Sequence, residues 1–317
     1  YLARAAVVAD RSMRRLGLPG RAFLPLIVGF GCNVPAVAAT RVLGGARQRV
    51  LTALLVPLTS CSARLTVYVL LATTFFGRYA GTVVFAMYLL SILLVMLVGL
   101  GLRSTLWRRM GAEPLLLDLP PYQRPTIRVV WGVTWVRLRG FLRTAAGIIL
   151  VTVCAVWLLQ AIPVRGSHEL GATPPQDSVY AAVADAVTPV FGPAGFGHWE
   201  ATGALLTGFV AKEAVISSWA QTYAVEDPTA AGASGDPATS ALGSAIRADM
   251  EASSGGHGTA AVLAFMVFLL AYTPCVATLA AQAREIGWRW SAFGVAVQLA
   301  IAWTLAVLVF QVARLVG

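Results

Sequence analysis

Charge is scarce in this chain of 317 residues: 12% of positions are charged, lysine occurs once, at Lys212, against 23 arginines, and histidine occurs three times. Together with a 58% hydrophobic composition and a mean hydropathy of +0.74, this excludes a soluble globular domain and identifies an integral membrane protein. No GxxxxGK[ST] run occurs, so a phosphate loop of that type is absent from the sequence. Cys32, Cys61, Cys154 and Cys275 are far apart and none lies in a CxxC, which argues against a disulfide framework and for free thiols. No HExxH and no pair of carboxylates offers another reaction, and His168, His198 and His257 all fall in expected loops outside the apolar spans. The chain is therefore not expected to be an enzyme. The formal charge of +10 does not point to nucleic acid, because the arginines sit in short loops beside apolar runs, as the positive-inside rule requires, and form no basic domain.

Long apolar runs fill the rest. Measured against the roughly 20 residues a helix needs to span, they lie near 22–40, 50–75, 79–101, 140–163, 199–223, 259–281 and 289–314. They are continuous and lack the period-two alternation of barrel strands. The expected fold is all-α, a polytopic transmembrane helical bundle. The densest arginine loop, 102–139, should face the cytoplasm. Within it Ile127, Trp131, Trp135, Leu138 and Leu142 recur at helical spacing, the pattern of an interfacial helix leading into the span at 140. A helical segment at 178–191 is too polar to span and is expected to pack on the outer surface, and 224–258 reads as a flexible polar loop. Tyr1 in place of Met, without a signal-peptide pattern, suggests that the chain starts inside a longer protein.

The run at 22–40 is broken at its centre by Gly29-Phe30-Gly31-Cys32-Asn33-Val34-Pro35, and both its flanks are arginine-rich, so a re-entrant or strongly broken hairpin is expected. An echo follows. Gly29-Phe30 precedes Cys61-Ser62-Ala63-Arg64-Leu65, and Gly208-Phe209 precedes Cys275-Val276-Ala277-Thr278-Leu279. These pairs suggest broken helices in two gate-like repeats, inverted relative to each other by the one crossing at 140–163. The organisation expected is a first repeat over 1–101, truncated at its N-terminus, and a cytoplasmic basic loop with interfacial helix over 102–139. A connecting span and outer segment would occupy 140–198, and a second repeat with its polar loop 199–317. On the repeat argument the C-terminus lies outside.

Cys32, Cys61 and Cys275 stand beside helix-breaking residues, whereas Cys154 sits in a plain apolar helix and reads as a small buried hydrophobe. Thiolate, carbonyl and carboxylate groups suit a late divalent metal better than Mg²⁺ or Ca²⁺, although spacing does not separate iron from zinc or copper. Lys212 and Glu213 fall inside an apolar span, where ionisable groups mark a pathway or a partner. Glu213 could be a metal ligand, a proton acceptor or half of a structural ion pair. The candidate metal ligands are Cys32, Cys61, Cys275 and Glu213. Gly31, Asn33, Pro35, Ser60, Lys212 and Pro274 are the candidate path-lining or helix-break residues.

Several motifs, in order along nearly the whole chain, resemble the membrane domain of bacterial ferrous iron transport protein B, the FeoB family. They are Tyr1-Leu2-Ala3-Arg4-Ala5 with Asp10-Arg11, Gly29 to Arg41, Leu119-Pro120-Pro121-Tyr122 with Pro125-Thr126, Phe209 to Glu213, and Pro274 to Thr278. Ser62 and Thr66 depart from the family's usual Gly and Pro, and would relax the break at Cys61. The resemblance implies a multi-pass permease of the bacterial plasma (inner) membrane that carries Fe²⁺ as transported substrate, with Cys32, Cys61 and Cys275 lining the path. It also implies GTP and Mg²⁺ acting only through a cytoplasmic G domain that precedes this chain, a small FeoA-type accessory protein as partner, and a cytoplasmic C-terminus. Whether the protein is a homo-oligomer stays open. The rival readings are a gate-type permease for another solute such as a nucleoside, and a non-transporting membrane anchor or regulatory subunit.

Overall fold

The computed structural model describes residues 2–15, 18–107, 126–164, 174–225 and 241–316. The Leu119-Pro120-Pro121-Tyr122 motif, His168 and residues 226–240 of the 224–258 segment lie outside them. Among the described residues the fold is helical, with a single isolated bridge between Pro163 and Ser178.

The first half holds α1 (Leu2–Arg15), α2 (Phe23–Gly31), α3 (Asn33–Ala39), α4 (Ala46–Leu55), α5 (Ser62–Phe76) and α6 (Ala80–Thr105). α2 stops because Cys32 is extended, at φ −150° and ψ 130°. α3 then restarts with Pro35 in its first turn, where the missing N–H costs no helical bond. α2 and α3 pack against each other as the expected hairpin. The break between α4 and α5 has a covalent cause. Pro57 has no N–H to offer the carbonyl of Ala53, so the chain passes through a 3-10 turn, Val56–Leu58, before α5 begins.

The long α7 (Ile127–Ala161) links the halves. Its 35 residues make a rod of about 52 Å, so the expected interfacial stretch and the span are one uninterrupted helix. Its apolar positions Ile127, Trp131, Trp135, Leu138 and Leu142 are all exposed. Cys154 is exposed on the same helix, against the expectation that it packs as a buried hydrophobe. α7 presents that position to the surroundings and not to the bundle.

The second half holds α8 (Val179–Val187), α9 (Trp199–Val210), α10 (Ala214–Thr222), α11 (Ala241–Ser253), α12 (Gly258–Ala271), α13 (Val276–Ile286) and α14 (Trp288–Val316). α11 corrects the reading of 224–258 as a flexible loop. Leu242, Ile246 and Met250, four residues apart, are buried, and this one apolar stripe holds a helix that overall polarity concealed.

Among the described residues three stretches are long and apolar enough to cross a membrane, Ala46–Thr105, Gly258–Ile286 and Trp288–Leu315, and a fourth if Val179–Ala194 and Trp199–Val210, bent by 106°, count together. Of the seven apolar runs, those at 50–75 and 79–101 both lie within Ala46–Thr105. The run at 22–40, expected as a re-entrant or broken hairpin, is cut at Cys32, and the run at 199–223 is cut at Ala211.

Two apolar clusters define the ends of the bundle. At one end Leu43 and Leu51 pack with Leu102, Trp107 and Trp290; at the other Phe75, Phe76, Val83 and Val84 pack with Ile246 and Met250. The path α4–α5 therefore runs from the first end to the second and α6 returns. α14 starts beside Trp107, whose ring centroid lies 5.4 Å from that of Trp290. It reaches the second end, where Gln311 donates to Pro193 O at 3.1 Å.

Candidate metal path at the helix breaks

Each cysteine singled out for its helix break is the N-cap of a helix: Cys32 of α3, Cys61 of α5 and Cys275 of α13. The halves use matching backbone. Cys61 has φ −72° and ψ 161°, and Cys275 has φ −60° and ψ 155°. The counterpart of Cys32 is Ala211, at φ −149° and ψ 120°, so the second half has the same kink without the thiol. The tether from each hairpin to the following break matches as well. Thr59 Oγ1 donates to Asn33 Oδ1 at 3.2 Å, and Lys212 Nζ donates to Thr273 O at 2.9 Å. Thr59 and Thr273 each stand two residues before a cysteine.

Close approach dictates the glycines that open the two motifs. A Cβ on Gly29 would lie 2.3 Å from Thr59 Oγ1, and one on Gly208 would lie 2.6 Å from Val215 Cγ2 and 2.7 Å from the Tyr272 hydroxyl. Gly31 is different: a Cβ there meets nothing within 4 Å. Its carbonyl instead accepts a hydrogen bond from Ser62 Oγ at 2.8 Å, which joins the Cys32 break to the Cys61 break. Ser62, one of the two departures from the family pattern, thus supplies a link that glycine there could not make.

Cys61 is buried, Cys275 half-buried and Cys32 exposed. Cys32 is within electrostatic range of Cys275, Cys61 and Glu213, which places the four candidate ligands in one region. They do not form a closed cage: no three of them have ligand atoms within 4.8 Å of one another. Lys212 and Glu213 both lie in the turn between the extended Ala211 and the start of α10. Lys212 is buried, with Nζ 3.6 Å from the centroid of the Tyr272 ring, and Glu213 is exposed. Cys275 Sγ lies 3.1 Å from Thr278 Oγ1. Ser60 is buried and its N–H donates to Ser91 Oγ at 3.0 Å, while Pro274 precedes Cys275 in the turn between α12 and α13.

Sequence reasoning did not single out Arg64, Gln282 or Gln298, which supply donors to the broken backbone. Arg64 is fully buried and donates to Pro57 O at 3.1 Å, Thr59 O at 2.9 Å and, across the halves, Tyr272 O at 3.4 Å. Gln282 Nε2 donates at 3.1 Å to Ala53 O, the carbonyl that Pro57 leaves without its helical partner. Gln298 Nε2 reaches Leu54 O at 3.4 Å. In lipid each freed carbonyl must find a donor inside the protein, and the two halves supply donors to each other. Arg64 and Gln298 within apolar runs, and Gln282 at the edge of another, were the available signal.

Two family models match the chain, one described as nucleoside recognition (Gate) over residues 1–75 and 142–289, and one described as ferrous iron transport protein B C terminus over residues 84–137. Among curated proteins, the chain is 36% identical to a Fe(2+) transport protein A/Fe(2+) transporter FeoB fusion protein of Porphyromonas gingivalis, with 98% of this chain and 40% of that protein covered. It is 35% identical to the Fe(2+) transporter FeoB of Methanocaldococcus jannaschii, with 99% and 45% covered. It is also 35% identical to that of Escherichia coli K12, with 99% and 44% covered. No solved structure matches. The chain thus spans less than half the length of these relatives. With both models matched in succession along a helical membrane bundle, the chain belongs to the ferrous iron transport protein B (FeoB) family.

Proposed function

We propose that this chain is the Fe²⁺-conducting membrane portion of a ferrous iron transporter, and that Cys32, Cys61, Cys275 and Glu213 line its path. The carrying observation is that kinks from both halves bring Cys61, Cys275 and Glu213 within electrostatic range of Cys32, with each cysteine an N-cap. Cys61 and Cys275 stand at the N-termini of α5 and α13, and sulfur with carboxylate and carbonyl oxygens suits a late divalent ion. An open arrangement fits conduction, because binding must be weak enough for release. In this reading the two halves act as inverted gates around a midplane site. The protein is a multi-pass transporter of the bacterial inner membrane. GTP and Mg²⁺ act through a G domain outside this chain, and the fusion of transport protein A with FeoB in the P. gingivalis relative supports a small accessory partner of that type.

Uptake of labelled Fe²⁺ by cells carrying the full-length protein tests the reading. Cys32→Ser and Cys61→Ser should each lower uptake about tenfold or more while membrane insertion is unchanged; full uptake by both would refute thiol ligation. The nucleoside-recognition description of the Gate model favours the second reading, a nucleoside permease. Thiol-reactive block of transport that Fe²⁺ protects against, and nucleosides do not, separates the two.

A further inference from the structure

His198, Glu200 and Asp249 are the one trio of His, Cys, Asp or Glu among the described residues whose ligand atoms all lie within 4.8 Å of one another. They lie away from the cysteine breaks, at the end of the bundle opposite Trp107 and Trp290. α11, which carries Asp249, is anchored at that end by Arg247, which donates to Thr74 O and lies 5.4 Å from the centroid of the Phe75 ring.

The local chain explains the convergence. Gly195 takes a left-handed turn at φ 81°, and Ser253 Oγ, from the end of α11, donates to its carbonyl at 3.0 Å. His198 is the extended N-cap of α9, and its carbonyl accepts from Thr202, so the imidazole and the first-turn Glu200 share the head of one helix. Asp249 approaches from α11, whose stripe of Leu242, Ile246 and Met250 is buried on the core. Its Oδ2 accepts from the Tyr223 hydroxyl at 2.5 Å, an outer hydrogen bond of the kind that orients a metal-ligating carboxylate.

Two observations ask for a cation. The two carboxylates are half-buried side by side, and among the described residues neither forms a salt bridge. His198 Nδ1 is buried without a hydrogen-bond partner. Like charges confined together raise one another's free energy, and a bound divalent ion offsets that. We propose that His198, Glu200 and Asp249 bind a divalent first-row transition metal ion of the Mn²⁺, Fe²⁺ and Zn²⁺ class. One imidazole with two carboxylates suits these ions, whereas Mg²⁺ and Ca²⁺ favour all-oxygen sites. The site stands about 15 Å up α9 from the break at Ala211, by helical rise from Glu200 to Val210. It needs no thiol and does not rest on the transport reading.

The test uses the full-length protein in lipid nanodiscs with Cys32, Cys61 and Cys275 all replaced by Ser, titrated with Mn²⁺ and followed by electron paramagnetic resonance. One equivalent should bind, with an imidazole nitrogen coupling in the electron spin echo modulation. His198→Gln should abolish that coupling, and the isosteric Glu200→Gln and Asp249→Asn should each weaken binding at least tenfold with unchanged thermal melting. Absence of binding by the parent, binding without nitrogen coupling, or equal affinity in Glu200→Gln and Asp249→Asn would overturn the assignment. The parent's nitrogen coupling decides even if the His198 variant fails to fold.

Discussion

Single atoms set the geometry of the breaks, and Gly29 and Arg64 do so most directly. At Gly29 a methyl group would fall 2.3 Å from Thr59 Oγ1, so Gly29→Ala must push apart the hairpin and the Cys61 turn. The expected loss is about 1–3 kcal/mol, read as a lower melting temperature in detergent, and Thr59→Ala should restore much of it. Gly31→Ala, with nothing within 4 Å, should leave melting unchanged although it stands in the same motif. Arg64 poses the opposite problem, a buried charge whose guanidinium donates to three carbonyls. Arg64→Met strands those acceptors at about 1–3 kcal/mol for each group left unsatisfied, while Arg64→Lys, without the planar fork, should recover only part of the loss. Equal melting of Arg64→Met and the parent would remove Arg64 from its structural role.

At the scale of elements, a helix break works only when the freed backbone finds partners, and here they come from elsewhere in the chain. Gln282 on α13 serves Ala53 O on α4. Gln282→Leu should therefore cost about 1–3 kcal/mol, but much less in a Pro57→Ala background, where residue 57 regains an N–H for that carbonyl; a double-mutant cycle on melting with no coupling would refute the account. The kinks themselves were legible in the sequence because their causes are local: Pro57, Pro274, Gly29 and the polar residues beside them interrupt apolar runs. The pairing of Gly-Phe with Cys-x-Ala-x-Leu was legible for the same reason, and the matching dihedrals at Cys61 and Cys275 follow it. The partners were not legible, since Arg64 with Tyr272 and Gln282 with Ala53 join residues about two hundred positions apart. α11 was missed because its stripe of three apolar residues is embedded in a polar composition. The trio of His198, Glu200 and Asp249 exists only once α11 folds back over the head of α9.

Across the whole molecule, charge is divided between the two ends. Arg41, Arg47, Arg49, Arg103 and Arg284 lie at the end closed by Trp107 and Trp290; Arg41 there pairs with Glu285, and Arg103 donates to Arg14 O at 3.2 Å. The other end carries Asp177, Asp185, Glu200, Asp249 and Glu251 against Arg78, Arg247 and Arg314. On the proposed orientation, in which arginine excess marks the cytoplasmic side, the hairpin α2–α3 would open from the cytoplasm and α9–α10 from outside, as inverted gates require. This orientation predicts the labelling of single cysteines by a membrane-impermeant maleimide, in full-length protein with Cys32, Cys61, Cys154 and Cys275 replaced by Ser. Glu251→Cys, exposed on α11, should react in intact cells, whereas Arg47→Cys, exposed on α4, should react only after permeabilisation. Labelling of both from one side would place α4 and α11 on the same face of the membrane. The two halves could then not be opposed gates, whatever metal their cysteines bind.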